Sequence, residues 1–178
     1  QNIENARQAK AFDNWTPNWV RFVERNVGAW MHIEHILGLY VFASNQRSGP
    51  TNMHNTAFAV NSMHKIRFAQ DLALYNLTLS EELESFDGSA HIETWNSDPA
   101  WQGVRETAEQ LTAIDDWCEA IFAANVVFEP LVGELFRSQL VQQAAPRNGD
   151  FVTPTVVGAD RIEALSAALG RANVAPAV

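Results

Sequence analysis

A proline-free stretch from Asn18 to Arg47 is the feature that most constrains the fold. Its apolar residues recur at steps of three and four, the spacing that brings side chains to one face of an α-helix. They are Trp19, Phe22, Val23, Trp30, Ile33, Leu37, Tyr40 and Val41. Ser48-Gly49-Pro50 ends the pattern, because proline cannot donate a backbone hydrogen bond inside a helix. The sequence predicts one long helix here, about 45 Å in length for about 30 residues.

A second helix is predicted from about Thr51 to Leu83. Its apolar residues keep helical spacing, and the stripe they form is wide enough to contact more than one neighbouring element. They include Met53, Ala57, Phe58, Val60, Met63, Ile66, Phe68, Ala69, Leu72, Tyr75 and Leu77. Phe86-Asp87-Gly88-Ser89 then indicates a turn.

A third helix is predicted to begin at Asp98-Pro99, since aspartate can cap a helix and proline favours its first position. Its apolar pattern runs on to Leu140, and Pro130 is expected to kink or split it. Three long helices with short connections are typical of an antiparallel bundle. We therefore predict an all-α fold.

The C-terminal part of the chain is predicted to be less regular. Pro146 to Asp150 interrupts the helical pattern, and Phe151 to Val157 has the appearance of an extended segment. Arg161 to Leu169 predicts a short amphipathic helix. We interpret residues 1–178 as a single helical domain.

Composition excludes several classes of partner. Twelve basic against twenty-one acidic side chains give a net charge of -9, which repels nucleic acid and anionic membranes. The apolar windows at 31–43 and 120–133 are too short and too often interrupted by polar residues to span a bilayer. The single cysteine, Cys118, cannot form an intrachain disulfide and is expected to be a small buried hydrophobe. A cytoplasmic location is the expectation.

The histidines lack the spacing of a di-iron motif. A ferritin-like di-iron site needs Glu-x-x-His on each of two helices, so that both ligands face the same way. Three positions before His32, His35, His54, His64 and His91 stand Ala29, His32, Thr51, Asn61 and Gly88. None of these is a carboxylate, so the motif is absent and the sequence predicts no iron ligands in this chain.

A few polar residues nevertheless stand in or near the helical stretches. His32 and His35 resemble a ligand pair, but polar anchoring or interface contacts are the favoured interpretation. Lys65 is expected to be a solvated cation beside a partly buried His64. Glu129 is expected to be either a bundle carboxylate or a solvated or capping residue, as are the paired aspartates Asp115 and Asp116.

Tryptophan is the other residue type with functional implications, because aromatic side chains dominate the energetics of large subunit interfaces. Trp15, Trp19 and Trp30 cluster near the start of the chain. We take these three, with His32 and His35, as candidate interface residues. Burial in the core of this chain is the alternative for the tryptophans.

Several motifs resemble one family, the small (β) subunits of bacterial multicomponent di-iron monooxygenases, most closely the propane monooxygenase group. The main motifs are residues 35–43, HILGLYVFA, and 61–70, NSMHKIRFAQ. SDPAWQ at 97–102, NVVFEPL at 125–131 and GDFVTP at 149–154 follow in the expected order. The resemblance covers about 15–158. Family members are longer, so 159–178 is either a continuation of the domain or a distal segment joined across a gap.

The resemblance implies a ferritin-like helical bundle and a non-catalytic role. It implies pairing with a large α subunit whose own di-iron centre hydroxylates propane or related alkanes, ketones or phenols, using O2 and electrons from NADH. An effector protein, a reductase and a dimer of heterodimers, with or without a γ subunit, complete the implied system. Two alternatives remain from the residues alone: a helical interaction module, and a free-standing oxidase with ligands drawn from Glu34, His35, Glu129 and Glu134.

Overall fold

The computed structural model describes residues 2–158, and over this range the regular structure is entirely helical. The elements are α1 (Asn2–Gln8), a short 3₁₀ turn (Ala11–Asn14), α2 (17–43), α3 (Asn52–Glu82), α4 (Ala90–Ser97), α5 (Pro99–Thr112), α6 (117–147) and α7 (Thr153–Val157). The all-α prediction is confirmed for these residues. The helix predicted at 161–169 lies outside them. No helix in the described range is long and apolar enough to cross a membrane.

Helix α2 confirms the first predicted helix. The Thr16 side chain accepts a hydrogen bond from the Trp19 backbone N–H at 3.3 Å, and Pro17 occupies the first turn. The helix continues through two α-helical segments and two π-helical segments, in which backbone bonds join residues five apart. These are Pro17–Phe22, Val23–Val27, Gly28–His35 and Ile36–Ala43. The π segments were not predicted, because apolar spacing does not distinguish them from α-helix.

Helix α3 lies against α2 along most of its length and confirms the second predicted helix. Thr51 caps it by accepting the His54 backbone N–H at 3.4 Å. The residues that α3 buries are Phe58, Ser62, Lys65, Phe68, Ala69, Leu72, Tyr75, Asn76 and Leu79. The opposite side of the helix is exposed.

The prediction of a single third helix is wrong, because the segment forms two helices, α5 and α6. Asp98 caps α5 by accepting the Ala100 N–H at 3.0 Å, as predicted, but the chain leaves the helical conformation at 113–116. Asp116 then caps α6 by accepting the Glu119 N–H at 2.9 Å. A side-chain acceptor at this position satisfies the backbone donors of a new helix, so the apolar pattern continues across a break. Helix α4 was not predicted.

Helix α6 passes through Pro130 without splitting. Its segments are Trp117–Phe122, Ala123–Gly133, Leu135–Val141 and Gln142–Arg147, and the second and third are π-helical. Pro130 lies in the π segment, where the wider turn moves the Val126 carbonyl away from the proline ring.

The extended segment predicted at 151–157 is also wrong. Asp150 is fully buried, and its Oδ1 accepts the backbone N–H groups of Val152 at 2.8 Å and Thr153 at 2.9 Å. Pro154 occupies the first turn of α7. These hydrogen bonds to Asp150 and the proline in the first turn favour a helix start, and here they outweigh the β-branched residues that follow.

The core is continuous and lies where α2, α3, α5 and α6 meet. Trp30 of α2 is 1% exposed and stacks on Phe136 of α6, with ring centroids 4.6 Å apart. Trp101 of α5 packs edge-on against both rings. This aromatic packing adjoins a set of four charged side chains, and the Trp30 indole N–H donates to one of them, Glu34.

Candidate functional site

Four charged side chains from three helices meet in the core, and we call them the charge cluster: Glu34 of α2, Lys65 of α3, and Glu129 and Arg137 of α6. Glu34 is 0% exposed and Lys65 is 8% exposed. Charged side chains at this depth are rare in proteins unless they are paired. The arrangement therefore identifies the cluster as the candidate functional site.

The cluster is a closed ring in which each carboxylate contacts both cations. The Lys65 ammonium lies 2.9 Å from Glu34 Oε2 and donates to Glu129 Oε1 at 2.6 Å. The Arg137 guanidinium donates to Glu34 Oε1 at 3.1 Å and to Glu129 Oε2 at 2.6 Å. Two negative and two positive charges balance, so the ring is neutral.

Electrostatics keeps Glu129 ionised despite its burial. Burial alone raises the pKa of this carboxyl, since a charged group loses hydration. The charges of Lys65 and Arg137 and the hydrogen bonds from them outweigh burial, and the pKa of Glu129 is lowered below its ordinary value. The two cations thus favour the charged form of Glu129.

Aromatic contacts fix two members of the cluster. The Trp30 indole N–H donates to Glu34 Oε1 at 2.7 Å, so that oxygen also accepts a bond from the aromatic core. The Arg137 guanidinium lies over the Trp30 ring, 5.8 Å from its centroid. A cation over an indole face is attracted by the ring quadrupole. Trp30 therefore orients both an anion and a cation of the cluster.

Two glycines leave the space that the charge cluster needs. A Cβ at Gly38 of α2 would lie 2.8 Å from Ile66 Cγ1 and 3.0 Å from the Ile66 backbone nitrogen and from Lys65 Cβ. A Cβ at Gly133 of α6 would lie 2.5 Å from Glu129 Oε2 and 3.0 Å from Arg137 Nη2. Gly38 thus permits close approach of α2 and α3 near Lys65, and Gly133 permits Glu129 and Arg137 to meet.

The cluster does not resemble a metal centre. Its carboxylates are bonded by protein cations, and the part of the chain described here contains no group of three or more His, Cys, Asp or Glu side chains placed to hold a metal ion. Of the ligands considered for a free-standing oxidase, His35 is exposed and packs edge-on against Tyr40. Glu134 lines a polar cavity of about 230 Å³ beside the cluster, with Asn61 and His64.

The sequence-based interpretation of Lys65 is wrong. It was expected to be solvated, whereas it lies on the buried side of α3 and pairs with two carboxylates. Glu129 is a bundle carboxylate, one of the two roles considered for it. Arg137 was missed. A signal was present for Lys65, because it falls in the helical row that also carries Phe58, Ser62 and Leu72.

Cys118 also differs from expectation. It is exposed at the start of α6 rather than buried as a small hydrophobe. The Asp116 cap immediately before it starts a new helix at Trp117, so the face expected from a continuous third helix does not apply.

The three candidate interface tryptophans are buried in this chain. Trp15, Trp19 and Trp30 are 7%, 4% and 1% exposed. The Trp19 indole N–H donates to buried Asp150 at 2.7 Å, and Trp15 packs edge-on against Phe12. Most of the surface of these three side chains is therefore buried by contacts with other residues of the same chain. A role at an interface stays a prediction for these residues.

The two candidate histidines have different environments. His35 is exposed, whereas His32 is half-buried between α2 and α4. Its Nε2 lies 3.1 Å from His91 Nδ1, a hydrogen bond between the two rings, and it stacks on Trp95. Burial and the neighbouring His91 and His35 lower the pKa of His32 to about 4. His32 therefore anchors α4 to α2 in its neutral form, and its interface role stays a prediction.

A second buried polar group joins the two ends of the described chain. Asp150 accepts hydrogen bonds from Trp19 and from the Thr153 hydroxyl, and Tyr75 Oη lies 2.7 Å from that hydroxyl. Burial and the charge of Asp150 raise the pKa of Tyr75 well above its ordinary value. Tyr75 thus remains a neutral phenol, and this network connects α2, α3 and α7.

The family model for methane, phenol and alkene hydroxylases matches residues 1–166. The chain belongs to this hydroxylase family. The family resemblance inferred from the motifs is thereby confirmed.

Relatives within the hydroxylase family are small or β subunits. The chain is 62% identical over 156 residues to the propane 2-monooxygenase hydroxylase small subunit of Gordonia sp. (strain TY-5), covering 88% of this chain and 42% of the relative. It is 28% identical over 143 residues to the methane monooxygenase component A beta chain of Methylococcus capsulatus (strain ATCC 33009 / NCIMB 11132 / Bath), covering 78% of this chain and 36% of that one. The chain therefore spans about two fifths of the length of these curated relatives.

A solved structure of this kind has the same fold. A chain in the structure described as toluene bound in the resting active site of toluene 4-monooxygenase superposes with a TM-score of 0.83 at 22% identity. The match covers 92% of this chain and 54% of the other. The predicted ferritin-like helical bundle is confirmed.

Proposed function

We propose that this hydroxylase-family chain is the non-catalytic structural β subunit of a soluble di-iron monooxygenase hydroxylase. The observation that carries the proposal is the charge cluster: Lys65 and Arg137 occupy both carboxylates at the bundle centre, so three helices are held together by the chain's own cations. The identity to propane 2-monooxygenase small subunits supports the same role.

The chemistry is assigned to a partner. The catalytic partner is a large α subunit with a di-iron centre that hydroxylates propane or a related small alkane, ketone or phenol, using O2 and electrons derived from NADH. Two such αβ pairs form the hydroxylase, which works with an effector protein and a reductase in the cytoplasm. The names of the relatives support a multisubunit assembly, since each is called a small subunit, a beta chain or a subunit beta of a monooxygenase.

An exposed apolar row on α6 supports a large partner. Its members are Phe122 at 57%, Val126 at 56%, Leu131 at 66%, Leu135 at 59% and Leu140 at 43% exposed. Contiguous apolar surface of this kind is unusual on a monomer and is typical of protein interfaces. We assign this row to contact with the large subunit.

Affinity capture tests the proposed partnership. The chain, tagged and expressed in its native cell, is expected to recover a large di-iron subunit in equimolar amount. Leu131→Asp and Leu135→Asp together should lower that recovery at least tenfold, while Glu119→Asp on the same helix should not. Recovery of no large subunit, or undiminished recovery with the double variant, would contradict the proposal. Iron bound by the chain on its own would favour the free-standing oxidase instead.

A further inference from the structure

The outer face of α3 carries a second row of exposed apolar side chains. Met53 is 83% exposed, Val60 42%, Met63 68%, Leu74 59% and Leu77 56%. The opposite face of the same helix is buried against α2. Helix α3 thus has two apolar faces, and residues 2–158 cover one of them.

The exposed row has the spacing of a coiled coil. Residues 53, 60, 67 and 74 are seven apart, and 56, 63, 70 and 77 stand three residues after each of them. Alternating steps of three and four over several turns place both sets on one seam that packs against another helix. The apolar members lie toward the two ends of the row, and Arg67 and Gln70 lie at its centre, all exposed.

We propose that this row, defined as the α3 seam, pairs antiparallel with the α3 seam of a second copy of the chain. In antiparallel pairing each residue of one set faces a residue of the other. One register satisfies the row from 60 to 77: Val60 faces Leu77, Leu74 faces Met63, and Arg67 faces Gln70 of the second copy. Every apolar member between 60 and 77 then faces an apolar residue of the second copy, and the polar residues at the centre face polar residues.

Charge at the centre of the seam is self-complementary in this register. Arg67 of one copy lies beside Gln70 and next to Asp71 of the other, and the two-fold axis repeats the contact. Within one chain Arg67 Nε lies 3.9 Å from Asp71 Oδ2, with both side chains more than half exposed. Opposite charges across a seam specify the register and orientation of paired helices. The same row paired in parallel would place Arg67 against Arg67.

The inference deepens the dimeric assembly proposed above by naming the helix at its two-fold axis, and to that extent rests on it. The pairing itself requires only a second copy of the chain. Its failure is distinguishable from failure of the proposed function, because recovery of the large subunit is read separately in the same preparation.

Disulfide trapping tests the pairing. In a Cys118→Ser background, the double variant Met63→Cys, Leu74→Cys is co-expressed with its native partners and mildly oxidised. The two cysteines of one chain lie about 16 Å apart along the helix, well beyond the about 7 Å limit for a disulfide, so they can link only between chains. We expect a covalent homodimer, with the 63–74 link identified by mass spectrometry.

The single variant Val60→Cys is the matched control. In the antiparallel register the two copies of residue 60 lie about 25 Å apart and should not link, whereas a parallel pair would link them. Linkage of Val60→Cys chains, linkage of the double variant to a different polypeptide, or no linkage in the folded assembly would each overturn the proposal.

A charge reversal gives a second measurement without cysteine. Arg67→Glu places a carboxylate next to Asp71 of the second copy and is expected to weaken self-association at least about tenfold by analytical ultracentrifugation. Adding Asp71→Arg should restore it, and Arg21→Glu, an exposed change of the same charge on α2, should have no effect. Equal self-association of Arg67→Glu and Arg21→Glu would contradict the α3 seam.

Discussion

Lys65 shows how a residue acquires its role from other helices. Its ammonium group bonds carboxylates of α2 and α6, so its charge is compensated although water is largely excluded. Taking such a group out of water costs several kcal/mol, which the two partners offset. The balance depends on all four members of the charge cluster.

Replacing Lys65 with Met is expected to destabilise the chain by about 3–5 kcal/mol, because Glu34 and Glu129 would then share one cation in a buried site. Urea unfolding of the purified assembly measures this change. The matched control is Glu109→Gln, which breaks the exposed ion pair with Arg105 and should cost less than about 1 kcal/mol. Similar losses in the two variants would mean that the cluster contributes little.

His32 predicts how stability depends on pH. Its pKa is about 4 in the folded chain and 6.5 in an ordinary environment, and the pKa of His91 is also lowered, chiefly by burial. Between pH 6.5 and about 4 the unfolded chain therefore binds more protons than the folded chain. Stability should fall as the pH falls through this window.

Substituting His32→Gln tests the assignment of this pH dependence. The variant should show a shallower loss of unfolding free energy between pH 6.5 and 4, while Arg21→Gln, an exposed change elsewhere on α2, should follow the parent chain. Both variants should lose further stability as falling pH protonates Glu129 from its lowered pKa and releases its hold on Lys65. Parallel curves for His32→Gln and the parent would contradict the assignment.

At the scale of elements, the contact between α2 and α3 depends on Gly38. An added Cβ would meet the backbone and side chain of Ile66, neither of which can move without separating the helices. Gly38→Ala is therefore expected to lower thermal stability by about 1–3 kcal/mol through overpacking. Gly103→Ala in α5, where the added Cβ meets nothing within 4 Å, should instead stabilise by about 0.5–1 kcal/mol. Equal shifts of Tm would show that close approach is not the reason for Gly38.

Helices could be predicted from sequence where a local signal marked their ends. Thr51 and Asp98 each supply a side-chain acceptor to the first turn, and α3 and α5 begin where these residues predict. The break at Asp116 was missed because apolar spacing continued across it. The α7 helix was missed because its β-branched residues resemble a strand, while the deciding contacts are backbone hydrogen bonds to the buried Asp150 side chain.

The candidate site was less predictable than the helices. Glu34 was predicted as a possible ligand and Glu129 as a bundle carboxylate or ligand, but the sequence does not indicate which cations pair with them. Along the chain, Lys65 and Arg137 are separated by the rest of α3, by α4 and α5, and by most of α6. They share the same two carboxylates only when α2, α3 and α6 assemble. The contacts that define the charge cluster are tertiary, so periodicity on one helix cannot reveal them.

At the scale of the whole molecule, the described bundle presents two apolar surfaces beyond its core. The α6 row is assigned to the large subunit, and the α3 seam to a second copy of the chain. Both surfaces belong to helices that also contribute to the charge cluster. The cluster thus fixes the helices whose outer faces carry the proposed contacts.

The central claim is that the chain's own cations hold its bundle without a metal, and iron analysis of the separated subunits tests it most directly. After purification of the assembled hydroxylase and separation of its subunits under conditions that retain folded structure, elemental analysis should find about two irons per large subunit. The small chain should carry none in excess of a buffer blank. Stoichiometric iron in the folded small chain would contradict the account.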